Sequence, residues 1–173
     1  MIVKTVEEVE SIKEAVVHNA DVVFKHLKAK SESMEAISFF KHIKFEKAGL
    51  DPVKGTELNF VEQLNQMFSD MVALEGVRQL LLKYPKKEWK LNLGPISGFD
   101  IESVDGEVVA ECFAATTSTS NRKLDADCLK LMDRASGKQK YICFYTHYDS
   151  EEKLQRIFDK YPDIVFIRIV DFK

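Results

Sequence analysis

Asp100 and Glu111 flank an Asp105-Gly106 dipeptide that sits between two apolar runs, residues 99–104 and 107–115. Asp-Gly between two such runs is among the strongest short signals for a β-hairpin. With that dipeptide as the loop, Val104 faces Glu107, Glu102 faces Val109 and Asp100 faces Glu111 across the ladder. Directly opposed side chains have Cβ atoms about 4.5–5.5 Å apart, and like charges so placed destabilise a sheet. A divalent cation offsets that repulsion. Mg²⁺ is usually held by one or two carboxylates, with water and substrate oxygens completing its octahedron, and Mn²⁺ is expected to substitute for it. Glu111 also lies between Val108-Val109-Ala110 and Cys112-Phe113-Ala114-Ala115, where a buried charge without a partner is costly. The ordinary alternative is a pair of edge carboxylates reaching solvent, or one of them neutralised by a lysine.

The elements around this pair follow from periodicity. Apolar residues at helical spacing predict a long amphipathic helix over residues 6–28, and a second from an N-cap at Ser33 to a stop at Gly49. A third starts near Glu57, carries Phe60, Leu64, Met67, Met71, Leu74, Val77 and Leu81 on one stripe, and ends before Tyr84-Pro85. Residues 89–93 alternate like an edge strand and Gly94-Pro95 breaks them. After the hairpin, residues 121–135 read as a helix with Leu124, Cys128 and Leu131 inward. Residues 141–145 form a short apolar strand, residues 150–161 a helix capped by Ser150, and residues 163–170 a closing strand. Strands apolar at nearly every position, 141–145 and 164–170, are expected to be buried on both faces. The fold class is therefore α/β, a mixed central sheet between helices, with an N-terminal helical extension over residues 1–52 and an α/β domain over residues 53–173.

Gly98-Phe99-Asp100-Ile101, the hairpin, and Val109-Ala110-Glu111-Cys112-Phe113 followed by a helix resemble the PD-(D/E)XK, or restriction endonuclease-like, nucleases. The residue match is confined to this hairpin, while the element order α-β-β-β-α-β extends the resemblance from Glu57 to the C-terminus. It implies a metal-dependent phosphodiester hydrolase acting on nucleic acid, DNA in preference to RNA. Asp100 and Glu111 would be metal ligands and the Cys112 carbonyl a third. The family's lysine position is occupied here by Phe113. The resemblance then points to a cation from the following helix, Lys123 first and Arg122 second, and lysine at 113 is expected to be tolerated. A glutamate from the first core helix, Glu62, would approach the metal. The Thr116–Asn121 run would lie at the mouth of the site and offer hydroxyls to phosphates. Each has an ordinary reading too: Lys123, Asp127, Lys130 and Arg134 as a solvated helix stripe, Glu62 as a surface glutamate, the Thr/Ser run as a polar loop with a helix cap. With Phe113 in the lysine's place, the alternative function is a catalytically inactive nuclease-fold module that binds nucleic acid or assembles with partners.

The bulk numbers exclude several other classes. Three cysteines among 173 residues, without CxxC or Cys/His spacing, give neither a disulfide framework nor structural zinc, and four histidines show no metal-binding spacing. No P-loop or GxGxxG is present. Net charge is −3, so nucleic-acid binding requires a local basic patch. No apolar run approaches the ~20 residues of a membrane span, and the N-terminus does not resemble a signal peptide; the expectation is a cytoplasmic protein without membrane contact. The two N-terminal amphipathic helices carry more apolar stripe than the domain needs, which predicts a homodimer through residues 6–48.

Overall fold

The computed structural model describes residues 1–94 and 96–172. In chain order the elements are β1 (Ile2–Val3), α1 (Val6–Ser33), α2 (Ala36–Phe45), β2 (Gly49–Leu50), β3 (Glu57–Leu58), α3 (Phe60–Lys83), β4 (Trp89–Leu91), β5 (Ile101–Ser103), β6 (Val108–Ala115), a 3-10 turn (Ser120–Arg122), α4 (Lys123–Arg134), β7 (Gln139–Thr146), α5 (Glu151–Lys160) and β8 (Ile164–Arg168). The chain is mixed α/β and forms two compact units, residues 1–9 with 72–173, and residues 10–71.

The first unit is built on a six-stranded sheet in the order β1-β4-β5-β6-β7-β8. The β1/β4, β4/β5 and β5/β6 pairs are antiparallel, whereas β6/β7 and β7/β8 are parallel. Each parallel step is a crossover through a helix, α4 and then α5, which places both helices against the sheet. Val109 and Phe113 of β6 point into a cluster with Leu124, Cys128 and Leu131 of α4, Ile142 and Phe144 of β7, and Leu154 of α5. Ala110 and Cys112 point to the other face, where α3 closes on β7. A Cβ at Gly76 would lie 2.6 Å from Cys143 Sγ, so only glycine permits this approach.

The hairpin register matches the expectation, with Ile101 opposite Ala110 and Glu102 opposite Val109. The turn is longer than Asp105-Gly106. Ladder pairing stops at Ser103, whose carbonyl accepts from the Gly106 amide (2.8 Å). The Ser103 hydroxyl accepts from Val108 (2.9 Å), and Gly106 takes φ +75°, a left-handed conformation that glycine adopts without strain.

Several boundaries differ from the sequence reading. α1 continues to Ser33, whose hydroxyl bonds back to Ala29 and Lys30 carbonyls instead of capping α2. α1 starts with a reciprocal cap, the Glu8 amide donating to the Thr5 hydroxyl and the Thr5 amide to the Glu8 carboxylate, which also accepts from the Lys4 amide. α3 begins at Phe60, not Glu57, because Asn59 caps it by accepting from the Glu62 amide, while Glu57 and Leu58 pair with β2. β4 is not an edge strand: Ile2 and Val3 pair along its outer side. Pro95, expected to end it, lies outside the described residues. β8 is not buried on both faces, since it is the edge strand and Val165 is exposed. Ser150 caps α5 as expected, accepting from the Lys153 amide. No helix of the described residues is long and apolar enough to cross a membrane.

The second unit holds residues 10–33 of α1, α2, β2, β3 and the first turns of α3. Val23, Leu27 and Ala48 form its core with Phe39, Ile43, Leu50 and Phe60 packed around them.

Candidate functional site

Asp100 immediately precedes β5, and Glu111 is the central residue of the apolar strand β6. The two carboxyls are close enough to interact, the Asp100 charge adding to burial in raising the Glu111 pKa. The hairpin register enforces the contact. The Cys112 amide then fixes Asp100, donating to its Oδ2 at 2.6 Å. Because the extended backbone carries N–H and C=O of one residue on the same edge, the Cys112 carbonyl shares the edge of β6 that β5 leaves uncovered.

Glu111 is 2% exposed. Burial first, and the Asp100 charge second, push its pKa up to about 7, against the opposing pull of Lys130. Asp100 is raised as well, chiefly by burial, while the Cys112 amide and the positive charges of Lys123 and Lys130 work in the other direction.

Lys130 of α4 brings its Nζ to 2.7 Å from Glu111 Oε1. The approach angle is poor for a hydrogen bond, and Oε1 is left without a well-aligned donor. The ammonium also donates to the Gly98 carbonyl at 2.6 Å and lies over the Phe99 ring. One turn earlier, Asp127 is only 6% exposed and takes both oxygens to Lys123 Nζ, at 2.9 and 2.8 Å. Burial raises the Asp127 pKa and Lys123 opposes the rise. Of the row Lys123, Asp127, Lys130 and Arg134, Asp127 is buried and Lys130 half-buried, while Lys123 and Arg134 remain exposed. Asp127 and Lys130 run alongside the inward row Leu124, Cys128, Leu131, and Lys130 reaches Glu111.

Asp127 and Lys130 are the members that sequence reasoning passed over as site residues. The signal was their helical position: Asp127 is three residues after Leu124 and four before Leu131, which sets it on the flank of the buried stripe. Phe113 is 2% exposed and stacks on Phe144 at 6.5 Å. It belongs to the core, and the expectation that lysine is tolerated there is corrected: the charge would enter an apolar cluster. Glu62 is exposed and sits in the other compact unit. Arg122 is exposed with φ +53° and caps nothing with its side chain.

The Thr116–Asn121 loop is tied to the β7–α5 turn. The Ser118 amide donates to Asp149 Oδ2 at 2.5 Å, Lys153 reaches the Thr119 hydroxyl, and the Thr116 carbonyl accepts from His147 and Tyr148 amides. It provides no side-chain cap for α4.

For a metal, the fit is that of a two-carboxylate site. Glu111 Oε1 is buried without a well-aligned donor, Asp100 adjoins it, and one or two carboxylates suffice for Mg²⁺. Among the described residues no group of three His, Cys, Asp or Glu side chains converges on one point, since Asp127 is engaged by Lys123. Occupancy requires Lys130 to draw back from Glu111.

No family model matches the chain, and comparison with curated proteins and with solved structures gives no match.

Proposed function

We propose that the chain is a metal-dependent phosphodiester hydrolase of the restriction endonuclease-like class, acting on nucleic acid. The observation that carries this reading is the hairpin register that sets Asp100 opposite Glu111, a carboxylate buried inside the apolar strand β6. The strand order supports it: an antiparallel β4-β5-β6 meander is followed by a helix and a parallel β7, with α3 ahead of the meander.

In this reading Asp100 and Glu111 supply the oxygens for Mg²⁺ or Mn²⁺, and the Cys112 carbonyl adds a third from the same edge. The bound ion supplies Lewis acidity toward a phosphate oxygen and lowers the pKa of a coordinated water. Lys130 stands in for the cation missing at Phe113, placed against Glu111 to neutralise charge developing on the phosphate. Lys123 adds positive potential from its pair with Asp127. Arg122 and Glu62 receive no role.

The test is cleavage of single- and double-stranded DNA and RNA by wild type, Asp100→Asn and Glu111→Gln, in Mg²⁺, in Mn²⁺ and in EDTA. Metal-dependent cleavage by wild type alone is expected; equal activity in all three proteins removes the proposal. A second reading is an inactive nuclease-fold module. The Lys130–Glu111 ion pair favours it, because a lysine there already balances the carboxylate that a metal would bind. Absence both of cleavage and of any metal-induced change in melting would select it.

A further inference from the structure

α2 presents two unlike faces. Phe39 and Ile43 turn toward Val23, Leu27 and Ala48, yet no residue of the helix is fully buried. The outward side carries Ile37, Phe40 and Phe45, which are 80%, 58% and 72% exposed. Lys41 and Lys44 are interleaved with these rings on the same exposed side. Lys44 Nζ lies 5.3 Å from the Phe45 ring centroid. Among the described residues neither lysine has an ion-pair partner, whereas Lys47 is engaged by Glu57 and Glu46 by His42. Two unpaired ammonium groups between two solvent-facing phenyl rings are complementary to a chain that alternates anionic groups with flat aromatic ones.

We propose that the outward face of α2 docks single-stranded nucleic acid, bases stacking on Phe40 and Phe45 and phosphates meeting Lys41 and Lys44. Exposed aromatics supply stacking that tolerates any base, and lysines track the backbone. This surface goes beyond the hydrolase reading and stands without it. A lipid surface fits less well. Interfacial helices segregate a continuous apolar face from a charged one, but here the lysines interrupt the exposed apolar positions, and the other apolar row is held by the core. A second copy across a two-fold axis on this face brings Lys41 and Lys44 toward the same two lysines of the copy, a like-charge contact.

The experiment uses the full chain in EDTA and measures fluorescence anisotropy with labelled oligo(dT), oligo(U) and a duplex of equal length. Single strands are expected to bind, and the duplex more weakly. Phe40→Ala and Phe45→Ala are each expected to weaken single-strand binding at least about fivefold without altering the melting temperature, since both rings are exposed. Lys41→Gln and Lys44→Gln are each expected to reduce the slope of log affinity against log salt by about 0.7. Binding is read in EDTA and does not require cleavage, so a failure of the hydrolase reading leaves this result intact. The proposal is overturned if wild type does not bind single strands, or if the Phe40→Ala/Phe45→Ala protein binds them unchanged. It is equally overturned if Phe40 controls sedimentation with phosphatidylserine-containing vesicles or the monomer–dimer equilibrium while oligonucleotide affinity stays the same.

Discussion

Glu111 Oε1 and Lys130 Nζ stand 2.7 Å apart, joining the only charged residue inside β6 to the flank of α4. The carboxylate is almost fully buried and the lysine side chain is 29% exposed, so the pair lies between a surface bridge of small worth and a buried pair whose loss is severe. Lys130→Met is expected to destabilise the protein by about 1–3 kcal/mol, the usual cost of stripping a buried polar group of its partner. In Glu111→Gln the same substitution should cost much less. A double-mutant cycle from urea titrations measures the difference; additive effects would mean that the contact does not couple the two residues.

The same geometry ranks the two α4 lysines for catalysis. Lys130 touches Glu111, whereas Lys123 is held by Asp127. Lys130→Ala is expected to lower metal-dependent cleavage by about a hundredfold or more, the scale of losing one preorganised charge-stabilising group, and Lys123→Ala by less than tenfold. The reverse ranking, read from initial rates on one substrate, would return the role to Lys123.

Asp100→Asn removes one of two neighbouring carboxyls while keeping a side chain able to accept from the Cys112 amide. The metal-free variant is expected to melt at or above the wild-type temperature, because like charges in contact oppose folding. Wild type should gain stability from millimolar Mn²⁺, since an ion bound only by the folded state shifts the equilibrium, and Asp100→Asn and Glu111→Gln should not. Equal responses in all three proteins would sink the ion site.

The opposition of Asp100 and Glu111 was legible in the sequence because a hairpin register is fixed locally, by a turn signal and by alternation. The partners of Glu111 were harder to read. Lys130 reaches it only after α4 has crossed over the sheet, and whether a helix stripe bordering the apolar row meets solvent or a buried strand depends on that packing. Burial at Phe113 follows from the same crossover, since Leu124 and Leu131 cover it. The outer strand β1 went unread because two residues carry no periodicity, and β3 was absorbed into α3 because Asn59 was not weighed as a cap.

Phe113→Lys tests the corrected reading of that position. The ring sits in the cluster of Leu124, Phe144 and Leu154, where deleting a buried Phe alone costs about 3–5 kcal/mol, and a lysine adds the burden of an ammonium. The variant is expected to be strongly destabilised or unfolded by circular dichroism, and Phe113→Leu to retain the fold at a smaller cost. A stable, active Phe113→Lys protein would show that the side chain escapes to the carboxylates, restoring the expectation drawn from the sequence.

The last prediction concerns pH. Burial and the Asp100 charge raise the Glu111 pKa from an ordinary 4.5 to about 7 in the folded protein, so between these values the folded state binds more protons than the unfolded one. By linkage, stability then falls as pH rises. The contribution is fully present below about pH 4.5 and is lost as pH climbs through 7. Its size is of order 3 kcal/mol at most, from ~1.4 kcal/mol for each pKa unit, with the partial neutralisation by Lys130 already included. Asp100 and Asp127 are also raised and act in the same direction. Asp105, held down to about 2 by Lys87 and the Ser103 hydroxyl, acts oppositely but only in more acidic solution. Urea titrations of the metal-free protein at pH 5.5, 6.5 and 8 should therefore show a midpoint that declines with pH, and Glu111→Gln should remove most of that decline. With Mn²⁺ present the trend should weaken or invert, because the ion and the Glu111 proton compete for the same oxygens and the deprotonated site binds the ion better. A wild-type midpoint that is flat or rising across this window in EDTA would mean that Glu111 does not hold its proton in the folded protein.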